Sequence, residues 1–119
     1  MDNKEFAKML EQRTKQFAIR IIRLSSALPY TPEGKVIRNQ ITIPGTSVGA
    51  NYREANRARS KADFNDRIKI CEGEISETVY WADIISELKW YDSIFLKETL
   101  DEANELLALF STIGKTLKL

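Results

Sequence analysis

The stretch Leu24-Ser25-Ser26-Ala27-Leu28-Pro29-Tyr30-Thr31-Pro32-Glu33 ends one helix and opens the next. Pro29 pushes Leu28 out of the helical region of backbone space. Thr31 has a side chain that can cap, Pro32 suits the first helical position, and Glu33 favours the positive end of the helix dipole. A link this short leaves the two helices antiparallel neighbours. Working back from it, Ala7, Leu10, Thr14, Phe17, Ile21, Leu24 and Leu28 alternate spacings of three and four. That is a heptad seam, and it predicts a first helix from about Lys4 to Leu28.

Forward of it, the second helix is expected to reach about Ala58. Pro44-Gly45 interrupts it, and a kink or short break is expected there, with Thr42, Thr46 and Ser47 satisfying freed carbonyls. Ser60-Lys61-Ala62-Asp63 resembles a capping box and opens a third helix whose seam is Phe64, Ile68, Cys71, Ile75, Thr78, Ala82 and Ile85. It is expected to end near Trp90. Asp92 or Ser93 then caps a fourth helix with Leu96, Leu100, Ala103, Leu107, Phe110 and Leu117 inward and Gly114 fraying its end. Every connection is short, so the expected fold is all-α: a single antiparallel up-down-up-down four-helix bundle over residues 1–119.

Composition agrees with one domain. The chain has 119 residues, 43% of them apolar, enough for one sizeable core. It has no apolar run of about 18 residues, so neither a transmembrane helix nor a membrane partner is expected. Met1-Asp2-Asn3-Lys4-Glu5 does not read as a signal peptide. Cys71 stands alone and cannot form an internal disulfide, which makes cytoplasm the default compartment.

The net charge of +1 hides an asymmetry. Residues 1–59 hold eleven basic and five acidic groups, a net +6, and residues 60–119 hold seven and twelve, a net −5. A basic hairpin joined to an acidic one lets identical subunits pack head to tail, or it leaves two merely solvated faces. The last two helices also carry apolar residues beside their seams: Trp81, Ile84 and Leu88, then Leu106, Leu109 and Ile113. These form either a wide core stripe or a subunit interface.

The chemistry of catalysis is missing. There is no histidine, so the commonest general base and metal ligand are absent. Cys71 on a core seam reads as a buried thiol. Gly45-Thr46-Ser47-Val48-Gly49 lacks the lysine and spacing of a phosphate loop. Glu74, Glu77, Glu98, Asp101, Glu102 and Glu105 have helical spacing but flank the core stripe without histidine partners, so no metal or cofactor is expected.

What remains is basic and polar. Arg13, Lys15, Arg20 and Arg23 line the first helix, and Arg53, Arg57 and Arg59 crowd the end of the second beside Tyr52. Arginine next to an aromatic ring suits phosphate contact and base stacking, although basic helix faces are often only solvated. Gly45, Ser47, Gly49 and Ala50 remove bulk from one stretch and let another backbone approach. Asn51 and Glu54 follow, and with Arg20 and Ser76 or Tyr80 as partners they can form a buried polar clamp that sets helix register.

Three motifs together, Gly45-Thr46-Ser47-Val48-Gly49-Ala50-Asn51-Tyr52-Arg53-Glu54-Ala55, Arg57-Ala58-Arg59-Ser60-Lys61-Ala62-Asp63-Phe64 and Ser76-Glu77-Thr78-Val79-Tyr80-Trp81, resemble a known family. It is the four-helix bundle proteins encoded in intervening sequences of bacterial 23S ribosomal RNA genes, related to the accessory variability protein of diversity-generating retroelements. The similarity runs from Phe17 through the fourth helix. It implies a homopentameric ring and, in the retroelement relative, a basic surface for reverse transcriptase and RNA. Ile43-Pro44 and Gly73 stand where the family carries Arg-Ser and a lysine, changes that remove positive charge. The expected function is a non-enzymatic oligomeric bundle binding nucleic acid or a nucleoprotein partner through helices one and two. The alternative is a scaffold that binds only protein, itself included.

Overall fold

Asp2 accepts a hydrogen bond from the Glu5 N–H at 2.8 Å and so starts α1 (Asn3–Ser26). Thr31 caps α2 (Pro32–Ala55) through the Gly34 N–H at 3.0 Å. Ser60 caps α3 (Lys61–Leu88) through the Asp63 N–H, and Asp92 accepts from the Phe95 N–H at the start of α4 (Ser93–Leu117). The third helix stops at Lys89, which takes the left-handed conformation at φ 58°. The structure is a computed structural model that describes the backbone of residues 1–117 and the side chains of residues 1–115. The described residues form four helices and no strand, packed as a bundle of 45 × 25 × 20 Å.

Most seam residues are buried. Leu10, Phe17, Ile21 and Leu24 of α1 meet Ile41, Val48 and Tyr52 of α2, and Ile68, Cys71, Ile75 and Ile85 of α3 complete the layer. Tyr52 and Phe110 meet edge to face with centroids 5.4 Å apart. The small residues of α2 do admit a neighbour. A methyl added at Gly45 would lie 2.7 Å from Ile21 Cγ2, and one at Gly49 would lie 3.2 Å from Thr14 Oγ1.

Two expectations are corrected here. Of the kink or short break expected at Pro44 the break is absent, since α2 runs unbroken to Ala55. The Thr42, Thr46 and Ser47 hydroxyls donate instead to carbonyls one turn back, those of Arg38, Thr42 and Ile43, each at 2.7 Å. The Gln40 carbonyl, which Pro44 leaves without its helical donor, sits at an exposed position. In α4 the inward face is Leu96, Thr99, Ala103, Leu106 and Phe110, while Leu100 and Leu107 are only half-buried. Gly114 lies within the helix and is buried, so the helix does not fray there. The Leu117 side chain lies outside the described residues.

The helices pack in sequence order, and of the four neighbouring pairs α1 and α4 touch least. Arginine bridges that looser seam.

Candidate nucleic-acid interface

The basic side chains fall into two groups, and α4 separates them. Arg13 donates from Nη2 to Glu102 Oε1 at 2.6 Å and from Nε to Oε2 at 3.1 Å, and Nη2 also lies 3.0 Å from Glu105. This two-pronged pairing with Glu102 raises the Arg13 pKa above its ordinary value, against the opposing effect of burial. Arg20 donates to Thr99 Oγ1 at 2.7 Å and to the Phe95 carbonyl, sits 4.0 Å above the Phe95 ring, and lies 3.6 Å from Glu98. Both guanidiniums are therefore neutralised inside the subunit. That corrects the expectation that they line a free basic face. The first and last helices of an up-down bundle are neighbours, so the charge complementarity read between chain halves closes partly within one molecule.

Arg38 is also consumed internally. Its Nη2 donates to the Pro29 carbonyl at 3.2 Å, and its guanidinium lies over Tyr30 at 4.9 Å.

The second group is open. Lys15 and Arg23 are exposed on α1. At the α2–α3 turn Arg57, Arg59 and Lys61 are exposed, and none of their side chains has a partner among the described residues. Arg53 approaches Glu11 only at 3.9 Å. The N-terminus of α1 and the C-terminus of α2 meet here, since Asn56 Nδ2 donates to Glu11 at 2.8 Å. Lys4 and Lys8 stand exposed on the same first turns of α1. Asp2, Glu5, Glu54 and Asp66 are exposed carboxylates of this end, so its charge is mixed, with Lys4, Lys8, Arg53, Arg57, Arg59 and Lys61 outnumbering them.

Tyr52 does not belong to that surface. It is 2% exposed and packs on Phe110, so its ring is core and not a free stacking platform. Burial pushes its phenol above the usual 10.0. The polar clamp is absent too. Asn51 donates to the Ser47 carbonyl of its own helix at 3.0 Å, Glu54 and Ser76 are exposed, and Tyr80 lies on the surface edge-on to Trp81. Register comes from glycine against α1, because Val48, Gly49, Tyr52 and Ala55 turn inward and carry positions 51 and 54 outward.

The residues read as a subunit interface also divide. Leu106 is fully buried in its own core, a correction. Trp81, Ile84, Leu109 and Ile113 are half-buried and Leu88 is exposed. Exposed apolar side chains occur on both hairpins: Ile22, Val36 and Ile43 on the first, and Ile70, Tyr80, Leu88 and Ile94 on the second. Ile22 and Ile43 flank a groove of about 490 Å³ between α1 and α2.

No reactive centre emerges among these side chains. The Cys71 thiol is buried, donates to the Val48 carbonyl, and has its pKa pushed up to about 12 by burial. Glu74 is raised by burial and by Glu77. Among the described residues no group of acidic and cysteine side chains is placed to hold a metal ion. Among the described residues no helix is long and apolar enough to cross a membrane.

Residues 8–112 match the family described as 23S rRNA-intervening sequence protein. A solved structure, of a protein with unknown function from the S23 ribosomal protein family of Bacteroides thetaiotaomicron, superposes with a TM-score of 0.83 at 31% identity. The match covers 89% of this chain and 98% of that one. No curated protein matches the sequence.

Proposed function

Because the chain belongs to the 23S rRNA-intervening sequence protein family, a helical bundle whose residues suggest no reaction, we propose a non-enzymatic, self-associating binding module that takes the backbone of RNA or DNA. The contact surface is the basic end at the α2–α3 turn, not the flank of α1 and α2 as a whole. One observation carries this reading: Arg57, Arg59 and Lys61 are exposed there without partners, and Arg53 is held only loosely, while Arg13 and Arg20 are neutralised by α4. Guanidinium groups free of carboxylates remain available for phosphate oxygens.

Filter binding across a salt series tests it. Phosphate contacts release counterions, so affinity falls steeply with salt. Replacing Arg53, Arg57 and Arg59 with glutamine is expected to flatten the slope of log affinity against log salt by about 2 to 3 units. Lys15→Gln, on α1 away from that end, is expected to change it little. Binding that ignores the three arginine changes would refute the assignment.

A protein-only scaffold is the second reading, favoured by Ile22 and Ile43 exposed at the α1–α2 groove. Partners that survive nuclease treatment in a pull-down would support it over the first.

A further inference from the structure

Two concavities adjoin at the basic end. One, of about 400 Å³, is an open chamber lined by the half-buried rings of Phe6 and Phe64, by Ala7 and Ile113, and by Asn3 and Asn56, with Tyr52 behind them too buried to offer a free ring face. The other, of about 330 Å³, is a trough that holds Arg59 and Lys61. Asn56 and Phe64 line both, so a ligand in one reaches the other around a shared wall.

We propose that this pair is a nucleotide site: an unpaired base of a single-stranded nucleic acid enters the aromatic chamber while its phosphate rests in the trough. The proposal rests on the polyanion reading above and names which form of polyanion is taken. The chemistry of the walls selects it. A nucleobase has a flat apolar face and a polar edge, and the chamber offers aromatic rings together with amide groups that donate and accept. Asn56 already gives an amide proton to Glu11 and shares a side-chain hydrogen bond with Tyr52, which fixes its amide at the rim of the chamber. A purely apolar ligand would leave the Asn3 and Asn56 amides and the neighbouring cations without a role. A duplex holds its bases stacked and offers none to insert. The chamber volume lies in the range of ordinary small-ligand sites.

The test is a fluorescence titration of the full chain with short single-stranded oligonucleotides carrying one 2-aminopurine, against abasic oligonucleotides of equal length and charge. The base-bearing strand is expected to bind about tenfold more tightly, with a change in 2-aminopurine emission on binding. Two variants are expected to remove that advantage while keeping the salt slope: Ala7→Phe, which fills the chamber, and Phe64→Leu, which removes a ring but keeps apolar bulk. Circular dichroism identifies the folded variants. Equal affinity for the two strands overturns the base chamber and leaves the polyanion reading standing. No binding of either strand at low salt overturns both. A base advantage that persists in folded Ala7→Phe and Phe64→Leu overturns the location.

Discussion

Gly34 sits where a Cβ would come within 2.0 Å of the Pro29 carbonyl oxygen, so the turn that joins α1 to α2 leaves no room for a side chain. Gly73 is the opposite case, an exposed helical position with nothing within 4 Å of its missing Cβ. Gly73→Ala is expected to stabilise the protein by about 1 kcal/mol, the helix-propensity difference, and to raise the melting temperature by about 4 °C. Gly34→Ala is expected to lower it by more than that, because backbone must move; thermal melts of both variants check the pair. Cys71 makes a prediction in pH. Its folded pKa of about 12 lies above the ordinary 9.0. The thiol's contribution is therefore whole below pH 9.0 and is lost as pH rises towards 12, since the unfolded chain ionises first. Over that window stability should fall by about 1 kcal/mol per pH unit, and Cys71→Ala should flatten the fall in denaturant titrations.

At the scale of helices, α4 shows how two apolar stripes compete. Leu96, Leu100, Ala103 and Leu107 and the alternative Leu96, Thr99, Ala103 and Leu106 are both plausible seams on paper. The second is the one that packs inward, with the Thr99 hydroxyl meeting Arg20 and Leu106 buried. Neighbouring positions such as Leu106 and Leu107 lie only about 100° apart around the helix, and periodicity alone does not choose between the two stripes. The α1–α4 seam depends on its guanidinium pairs more than the other seams do. A double-mutant cycle of Arg13→Gln and Glu102→Gln is expected to give a coupling of about 1 kcal/mol, modest because both side chains are partly exposed. The coupling should shrink at molar salt, where screening acts over only about 3 Å. A cycle that returns zero at low salt would remove the pair from the forces that hold α4 against α1.

For the molecule as a whole, the charge asymmetry and the leftover apolar residues concern what meets the bundle. Exposed Ile22 and Ile43 beside an open groove lead us to expect self-association, measured as a sedimentation mass well above the 13.7 kDa chain at tens of micromolar. Ile22→Gln with Ile43→Gln should return the monomer; association unchanged by both would place the contact elsewhere. Much of the architecture was legible beforehand. Thr31, Ser60 and Asp92 cap the helices they were expected to cap, and the seams of α1 and α3 are buried except at the half-buried Ala7 and Phe64. The site was less legible. The arginines were visible as residues, but Arg13 and Arg57 look alike in sequence, and only a neighbouring helix tells them apart. Of the chamber at the basic end the sequence marked only Tyr52 beside its arginines, because Phe6 and Phe64 come from two other helices.

Local chemistry, written in consecutive residues, determined where helices start and stop and which stripe of α1 and α3 turns inward. Proline, capping hydroxyls and heptad spacing act within a few residues, so reading along the chain suffices for them. The tertiary structure alone decided which charges cancel and which cavities form. Those outcomes depend on distances between residues far apart in the chain, such as Arg13 and Glu102, and electrostatic pairing falls off too quickly with distance for sequence order to stand in for position.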